Sequence, residues 1–237
     1  MQKIRLYLQQ NIVLSQKIII KDADFEYLTK VMRVNVNDII FIFDGLTGEY
    51  ESKITIINKK NIEINVGKQI KAQSSLNNIS LAFAIPKNIG IDIIAKKATE
   101  MGISCFHPII TDHAIVRELN SKRFNANIKE ACEQCERNDI PELRAITKLE
   151  KFLESNFDNN IILCDETSQN KALQALSLID KSQRNILMVG PEGGFSPREF
   201  EIFKKFNNII SISLGKNILR CDTAIVAGLA IINEVIL

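Results

Sequence analysis

The stretch NILMVGPEGGFSPREF, residues 185–200, decides the fold of this chain. Its first five residues carry no charge, which is typical of a strand buried on both faces of a parallel sheet. Gly190, Gly193 and Gly194 follow within the next five positions, so the backbone can turn sharply and approach a ligand without β-carbons in the way. A strand and a glycine loop in this order indicate an α/β protein.

The helix after the loop is specified by its own side chains. Ser196 is the predicted N-cap residue, Pro197 suits the first helical position, and Glu199 completes a capping box with Ser196. Phe195 and Phe200 occupy the two positions of a hydrophobic staple. These signals together predict a helix that begins at Pro197.

A second unit of the same kind follows at once. The apolar run 209–214 opens into GKNILRCDTA, residues 215–224. A strand, a loop and a helix N-terminus used twice in succession form a ligand crevice in α/β proteins. The glycine loop matches neither the G-x-G-x-x-G nor the P-loop pattern, and on its own it could be a structural turn. Its pairing with the second loop makes this crevice the predicted active site.

The chain before the crevice changes its pattern near residue 72. Short strands are expected at residues 4–8, 17–20, 39–43, 49–57 and 62–66. One helix among them would be capped by Asp22 or Asp24. From residue 79 onward, strands and helices alternate, which favours a mostly parallel sheet. We therefore predict a small β-rich domain over residues 1–72 and an α/β domain over residues 73–237.

Composition excludes some classes of protein and leaves others open. The 237 residues are 46% hydrophobic and 24% charged, as in folded globular proteins, so disorder is not expected. The first 70 residues carry 10 Lys and Arg against 8 Asp and Glu, an excess that fits an RNA-facing module but is too small to argue for one. No signal-peptide pattern and no apolar run of about 18 residues is present, so we expect a cytoplasmic protein without a membrane segment.

The five cysteines are scattered and odd in number, which indicates free thiols in a reducing compartment. Cys132 and Cys135 form a C-x-x-C pair, yet no second pair and no histidine cluster accompanies them. Zinc or redox chemistry is therefore the less favoured interpretation, and no metal is predicted.

The crevice motifs resemble those of the RsmE family of SPOUT-type methyltransferases. The resemblance rests on residues 186–196, on Leu214-Gly215, and on Ile218-Leu219-Arg220 with Thr223-Ala224. Three upstream stretches also match family motifs: KATEMG at 97–102, EACEQCER at 130–137, and the Tyr27–Arg33 segment. The resemblance therefore covers nearly the whole chain in order.

This resemblance implies a fold and an activity. The fold would be a PUA-like β-barrel followed by a SPOUT-type parallel sheet with a deep C-terminal trefoil knot, and the protein would be a homodimer. The activity would be S-adenosyl-L-methionine-dependent methylation of N3 of one uridine in small-subunit (16S) rRNA, and the knot loops would hold the methyl donor. Whether free rRNA or the assembled 30S subunit is the substrate stays open.

The resemblance also assigns site residues. Arg220 would be catalytic, since a guanidinium beside the uracil ring stabilises the negative charge left when N3 loses its proton. A structural ion pair between Arg220 and Asp222 is the alternative. Cofactor binding is expected of Leu163, Gly190, Gly194, Leu214, Ile218, Leu219, Thr223 and Ala224. RNA contacts are expected of Arg33, Lys87, Arg117, Arg137 and Lys216.

Three positions depart from the family pattern. Asn217 replaces an arginine, Asp222 replaces a glutamate, and His113 replaces the arginine of an S-E-R motif. Two rival functions therefore stay open: a tRNA methyltransferase of the same fold, and a non-catalytic rRNA-binding assembly factor.

The general base is not identified by the sequence. Asp222 and Glu192 are the carboxylates nearest to the motifs. His107 and His113 are expected to be packed or solvent-facing residues rather than bases.

Overall fold

The computed structural model describes residues 3–73, 77–87, 90–177, 179–180 and 182–236. The chain forms two compact units. The first is Met1–Leu76 together with Cys132–Ile140, and the second is Asn77–Ala131 together with Pro141–Leu237.

The first unit contains a five-stranded sheet. Its strands are β1 (Arg5–Tyr7), β2 (Lys17–Ile20), β3 (Ile39–Phe43), β4 (Gly48–Ile57) and β5 (Ile62–Ala72). Their order is β1-β3-β4-β5-β2; β1 runs parallel to β3, and the other neighbours are antiparallel. Alternate residues of these strands form a core that includes Leu6, Ile40 and Ile64.

One helical segment interrupts this sheet. Helix α1 (Asp22–Glu26) continues into a π-helical segment, Tyr27–Val31. The N-cap residue is Lys21, and no side chain caps the helix. The expected capping by Asp22 or Asp24 is therefore wrong, because the helix already includes both residues.

A buried arginine explains why Cys132–Ile140 belongs to the first unit. The Arg5 side chain donates to the Glu49 carboxylate at 2.9 Å, to the carbonyl oxygens of Cys132 and Glu133 at 2.6 and 3.1 Å, and to Asn138 Oδ1 at 2.9 Å. Arg5 is 3% exposed. A buried guanidinium needs all of these acceptors, since an unpaired buried charge is very costly.

The second unit contains a seven-stranded sheet in which all pairings are parallel, as the alternating pattern predicts. Its strands are β6 (Ile79–Ala84), β7 (Cys105–Ile110), β8 (Glu142–Leu143), β9 (Thr147–Lys148), β10 (Asn160–Cys164), β11 (Asn185–Val189) and β12 (Ile209–Ile212). The order is β12-β10-β11-β6-β7-β8, and β9 also pairs with β7. The short strands β8 and β9 are not predicted from the sequence.

Helices lie between the parallel strands along the chain, and a last helix follows β12. They are α2 (Ile91–Glu100), α3 (Ser121–Gln134), α4 (Leu149–Ser155), α5 (Ala172–Leu176), α6 (Pro197–Phe203) and α7 (Cys221–Ile236). Helix α4, which the sequence analysis does not predict, buries Leu149, Phe152 and Leu153 in the core beside β10 and β11.

The strand order determines where a site can form. Because β10 lies between β11 and β12 and all three are parallel, their carboxyl ends meet at one edge of the sheet. The loops after these strands therefore converge there, which is where open α/β sheets bind ligands. A knot is a property of how the chain threads through these loops, and it stays a prediction.

Candidate cofactor and active site

The loops after β10, β11 and β12 enclose a cavity of about 230 Å³ in the second unit. Each loop forms one wall. The lining residues are Cys164, Asp165 and Glu166 from the first loop; Val189, Gly190, Pro191, Glu192, Gly194 and Phe195 from the second; and Leu214, Gly215, Asn217, Ile218, Leu219, Arg220, Cys221 and Ala224 from the third.

The glycine loop needs its glycines for two different reasons. A β-carbon at Gly190 would lie 2.8 Å from Cε2 of Phe195, closer than any real contact. Gly194 has φ +65°, and its N–H donates to the Pro191 carbonyl at 2.9 Å. The loop is therefore a tight turn whose backbone faces the cavity.

Helix α6 begins as the sequence predicts. Ser196 Oγ accepts from the Glu199 N–H at 3.1 Å, and Glu199 Oε2 accepts from the Ser196 N–H at 2.7 Å, which confirms the capping box. The rings of Phe195 and Phe200 meet edge to face with centroids 6.4 Å apart, as a hydrophobic staple requires. The cap holds the end of the glycine loop in place.

Asp112, just after β7, braces the same helix end. Its Oδ2 accepts from Ser196 Oγ at 2.5 Å and from Arg198 Nε at 2.9 Å, and its Oδ1 accepts from the Arg198 guanidinium at 2.6 Å. The Asp112 N–H donates to Glu199 Oε1 at 2.8 Å. Hydrogen bonds from Arg198 and then Ser196 lower the pKa of Asp112 to about 2.

The two histidines have separate structural roles, as the sequence analysis expects. His113 is exposed, and its Nδ1 lies 3.0 Å from the Gly193 carbonyl oxygen and 3.2 Å from that of Gly194. A carbonyl only accepts, so the contact requires a proton on Nδ1. His107 packs against the Phe152 ring at 5.5 Å, and burial lowers its pKa to about 4.

The third wall, which the loop after β12 forms, is exposed to solvent. Residues 215–218 are exposed, and Ile218 is 84% exposed. Within the described part of the chain, the Arg220 guanidinium donates no hydrogen bond and has no carboxylate within 4.0 Å. Asp222 instead accepts from the Thr223 N–H at 2.9 Å. The alternative of an Arg220–Asp222 ion pair is therefore wrong.

The first wall is one that the sequence analysis largely missed. Leu163, a predicted cofactor residue, is fully buried in the core with β11 and α4, and the cavity begins one residue later. The Leu163 side chain lies in the core, whereas Cys164, Asp165 and Glu166 line the cavity, and a cofactor contact from Leu163 stays a prediction. The only signal for them is their place directly after a buried strand.

Most of the predicted cofactor residues are brought together. Of the eight, those that line the cavity are Gly190, Gly194, Leu214, Ile218, Leu219 and Ala224. Thr223 is exposed on the first turn of α7 and is not among the lining residues. Arg220 lines the cavity as well.

The predicted RNA-contacting residues differ in exposure. Arg33, Lys87, Arg117 and Lys216 are exposed. The side chain of Arg137 is only 12% exposed and forms an ion pair with Asp139. This pairing speaks against Arg137 as a phosphate contact, because its guanidinium is already neutralised and is shielded from solvent.

The C-x-x-C pair is divided between the interior and the surface of the protein. All five cysteines are free thiols; Cys132 is buried and donates to the Asp139 carbonyl at 3.5 Å, whereas Cys135 is exposed. In the described ranges, no group of three His, Cys, Asp or Glu side chains could hold a metal ion. Over the same residues, no helix is long and apolar enough to span a bilayer.

Comparison with known proteins gives a consistent result. The RNA methyltransferase domain family matches residues 72–233, and the RNA methyltransferase PUA domain family matches residues 20–67. The chain is 33% identical over 230 residues to the ribosomal RNA small subunit methyltransferase E of Rickettsia conorii, covering 95% of this chain and 93% of the relative.

Solved structures agree with this. A putative methyltransferase from Legionella pneumophila, in complex with the bound cofactor SAM, is 26% identical with a TM-score of 0.87, covering 99% of this chain and 98% of that one. A ribosomal RNA small subunit methyltransferase E from Neisseria gonorrhoeae, bound to S-adenosyl methionine, is 28% identical with a TM-score of 0.87, covering 98% of each chain.

Proposed function

This chain belongs to the family of the ribosomal RNA small subunit methyltransferase E proteins, and from that premise we propose that it methylates N3 of one uridine in 16S rRNA. It is an S-adenosylmethionine-dependent rRNA methyltransferase with a SPOUT-type parallel sheet and a PUA-like N-terminal domain. The observation that carries the proposal is that Arg220 lines the cavity formed by the three loops and has no carboxylate within 4.0 Å among the described residues.

The cavity fits S-adenosylmethionine by its chemistry. Val189, Leu214 and Leu219 offer apolar walls for an adenine ring, and the glycine loop brings its backbone to the cavity without β-carbons at Gly190 and Gly194. Carboxylates at one side suit the positive charges of the donor. When bound, S-adenosylmethionine supplies a methyl group on a positively charged sulfur.

Arg220 is the residue that we assign to the acceptor base. Uridine N3 reacts only after its proton leaves, and the negative charge then spreads to the two flanking carbonyl oxygens. A guanidinium with no carboxylate within 4.0 Å among the described residues can stabilise that charge. An arginine already paired with Asp222 could not do so.

The remaining parts of the proposal concern the substrate and the assembly. The PUA-like domain would position the rRNA largely through phosphate contacts, with Arg33, Lys87, Arg117 and Lys216 as exposed cations that could contribute. The protein would act as a homodimer with a C-terminal trefoil knot, and it would act in the cytoplasm, where ribosomal subunits are assembled.

Nucleoside mass spectrometry tests the function. The purified protein is incubated with S-adenosylmethionine and either 16S rRNA or 30S subunits from cells that lack the gene. The RNA is then digested to nucleosides, and 3-methyluridine is separated from 5-methyluridine and 2′-O-methyluridine. We expect 3-methyluridine at one position of the small-subunit rRNA, and light scattering on the purified protein alone reports the dimer.

Two outcomes would replace the proposal. Methylation of tRNA at a ribose hydroxyl, with none on small-subunit rRNA, would identify a tRNA methyltransferase of the same fold. Binding of small-subunit rRNA without any methyl transfer, although S-adenosylmethionine binds, would identify a non-catalytic assembly factor.

A further inference from the structure

The proposed function, on which this inference rests, requires a group that removes the N3 proton of the uridine. We expect that group among the residues that line the cavity. The lining side chains that could accept a proton are three carboxylates and two thiols, on Asp165, Glu166, Glu192, Cys164 and Cys221. Neither histidine is among the described residues that line the cavity.

The two thiols are poor bases in their surroundings. Burial, with a smaller contribution from the neighbouring Cys221, raises the pKa of Cys164 to about 12. Burial likewise raises the pKa of Cys221 to about 12, with smaller contributions from Glu192 and Asp222. A thiol accepts a proton only as thiolate, so both cysteines stay protonated and inactive near neutral pH.

Two of the three carboxylates are already engaged by the protein. Asp165 is 8% exposed, and its Oδ1 accepts from the Thr167 N–H at 2.8 Å and from Thr167 Oγ1 at 2.7 Å. These contacts form a side-chain turn after β10. Glu192 Oε1 accepts from the Lys87 N–H at 3.0 Å. Both carboxylates therefore hold loops in place.

Glu166 differs from both. Its carboxylate has no hydrogen bond and no ion pair with any residue that the structure describes, and the side chain is exposed. Its Oε1 lies 3.4 Å from the position that a β-carbon on Gly194 would occupy. The carboxylate therefore lies against the bare backbone of the glycine loop, in the space that the missing side chain leaves.

We propose that Glu166 is the general base of the reaction, accepting the N3 proton of the target uridine while Arg220 stabilises the charge that remains on the ring. The N3–H bond breaks, its electron pair stays on N3, and the proton goes to a Glu166 oxygen and later to water. The N3 pair forms the new bond to the methyl carbon, and the electron pair of the carbon–sulfur bond stays on sulfur.

The test compares Glu166→Gln with two matched variants. Glu192→Gln removes the other exposed carboxylate of the cavity, and Glu201→Gln removes a surface carboxylate that pairs with Lys204 outside it. For each, kcat on 30S subunits is measured from neutral to alkaline pH. Calorimetry gives the Kd for S-adenosylmethionine and for S-adenosylhomocysteine, which lacks the sulfonium charge. Thermal unfolding reports folding.

The expected result is specific to a base. Glu166→Gln should lower kcat at neutral pH by about 100-fold, the range of general base catalysis, with both Kd values and the unfolding temperature unchanged. The loss should shrink as pH rises, because hydroxide then ionises N3 in place of the side chain. The kcat of wild type should not rise with pH in this way, and Glu201→Gln should behave as wild type.

Several results would overturn the inference. Weaker binding of S-adenosylmethionine but not of S-adenosylhomocysteine, with kcat kept at saturation, would make Glu166 a ligand of the sulfonium. A full-rate Glu166→Gln protein, or the same alkaline recovery in Glu192→Gln, would also reject it. Because wild type is measured alongside, absence of methylation by every protein would reject the proposed function instead.

Discussion

Two loops form facing parts of one cavity, and they are built in opposite ways. The glycine loop, residues 190–196, is fixed by a capping box, by the Asp112–Arg198 pair and by His113 on its carbonyl oxygens. Every residue of the loop 215–220 is exposed except the half-buried Leu219, and the Arg220 guanidinium has no hydrogen bond or ion pair among the described residues. One loop provides a fixed shape, and the other leaves a charged group available.

The difference shows how stability and chemistry are separated in this site. Contacts that fix a loop add to the free energy of unfolding but occupy the groups that make them. A guanidinium that is already neutralised by a carboxylate has less charge to offer a substrate. We therefore expect substitutions in the glycine loop to alter folding and cofactor affinity, and substitutions at Arg220 to alter turnover alone.

The largest effect is expected for Arg220→Ala. Loss of the guanidinium should lower kcat by about 100- to 1000-fold, the usual cost of removing one charge-stabilising donor. The Kd for S-adenosylmethionine and the unfolding temperature should stay as in wild type, because the guanidinium makes no hydrogen bond and no ion pair with any described residue. Single-turnover kinetics, calorimetry and thermal unfolding measure the three quantities.

A matched control is Arg184→Ala, an exposed arginine outside the cavity. It should leave kcat unchanged. A drop in the unfolding temperature of Arg220→Ala would contradict the comparison, since it would show that Arg220 also holds its loop. Undiminished turnover would remove Arg220 from the mechanism.

The same contrast explains what can be predicted from the sequence. The capping box of Ser196 and Glu199 acts over three residues, so the sequence contains the whole interaction. Glu166 reaches the cavity only because β10 is inserted between β11 and β12, which no local pattern encodes. Arg5 donates to carbonyl groups more than 120 residues away, so no local pattern predicts that Cys132–Ile140 belongs to the first unit.

Resemblance to a family supplies part of what local patterns lack, and it has its own limits. It brings Leu214, Ile218 and Arg220 to the cavity, although nothing in their spacing indicates a ligand. It also names Leu163, whose side chain lies in the core, whereas the next residue along the strand, Cys164, lines the cavity. Which of two successive strand residues faces the cavity is decided by packing and not by a sequence motif.

A smaller effect is expected for Gly190→Ala. The new β-carbon would lie 2.8 Å from the Phe195 ring, which packs edge to face on Phe203 at 5.1 Å and cannot move freely. We expect destabilisation of about 1–3 kcal/mol, typical of overpacking, and a Kd for S-adenosylmethionine raised about tenfold. Urea unfolding and calorimetry measure the two.

Gly193→Ala is the control within the same loop. A β-carbon there would lie 3.4 Å from Cβ of His113, an ordinary contact, so the change in stability should stay within about 0.5 kcal/mol. Equal effects of the two substitutions would show that the loop is not the tight, fixed element that the comparison requires.

The smallest effect is expected for Asp112→Asn, which weakens the brace behind the glycine loop. The contact with Arg198 is largely exposed, so solvent screens it and we expect a loss of about 0.5–1 kcal/mol at neutral pH. The pKa of Asp112 falls from 3.8 to about 2 on folding. A lowered pKa stabilises the folded state only while the carboxylate is charged.

The sign of the pH dependence follows from that shift. The free energy of unfolding of wild type should exceed that of Asp112→Asn by the full amount above about pH 4. This difference should disappear as the pH falls through about 2, because the carboxylate is then protonated in the folded and in the unfolded state. Urea unfolding of both proteins at neutral and acidic pH measures it, and Asp158→Asn, an exposed residue outside the brace, serves as the control. An advantage that persists unchanged at the acidic end would mean that shape, and not the charge of Asp112, holds the glycine loop, and the fixed wall would then rest on the capping box alone.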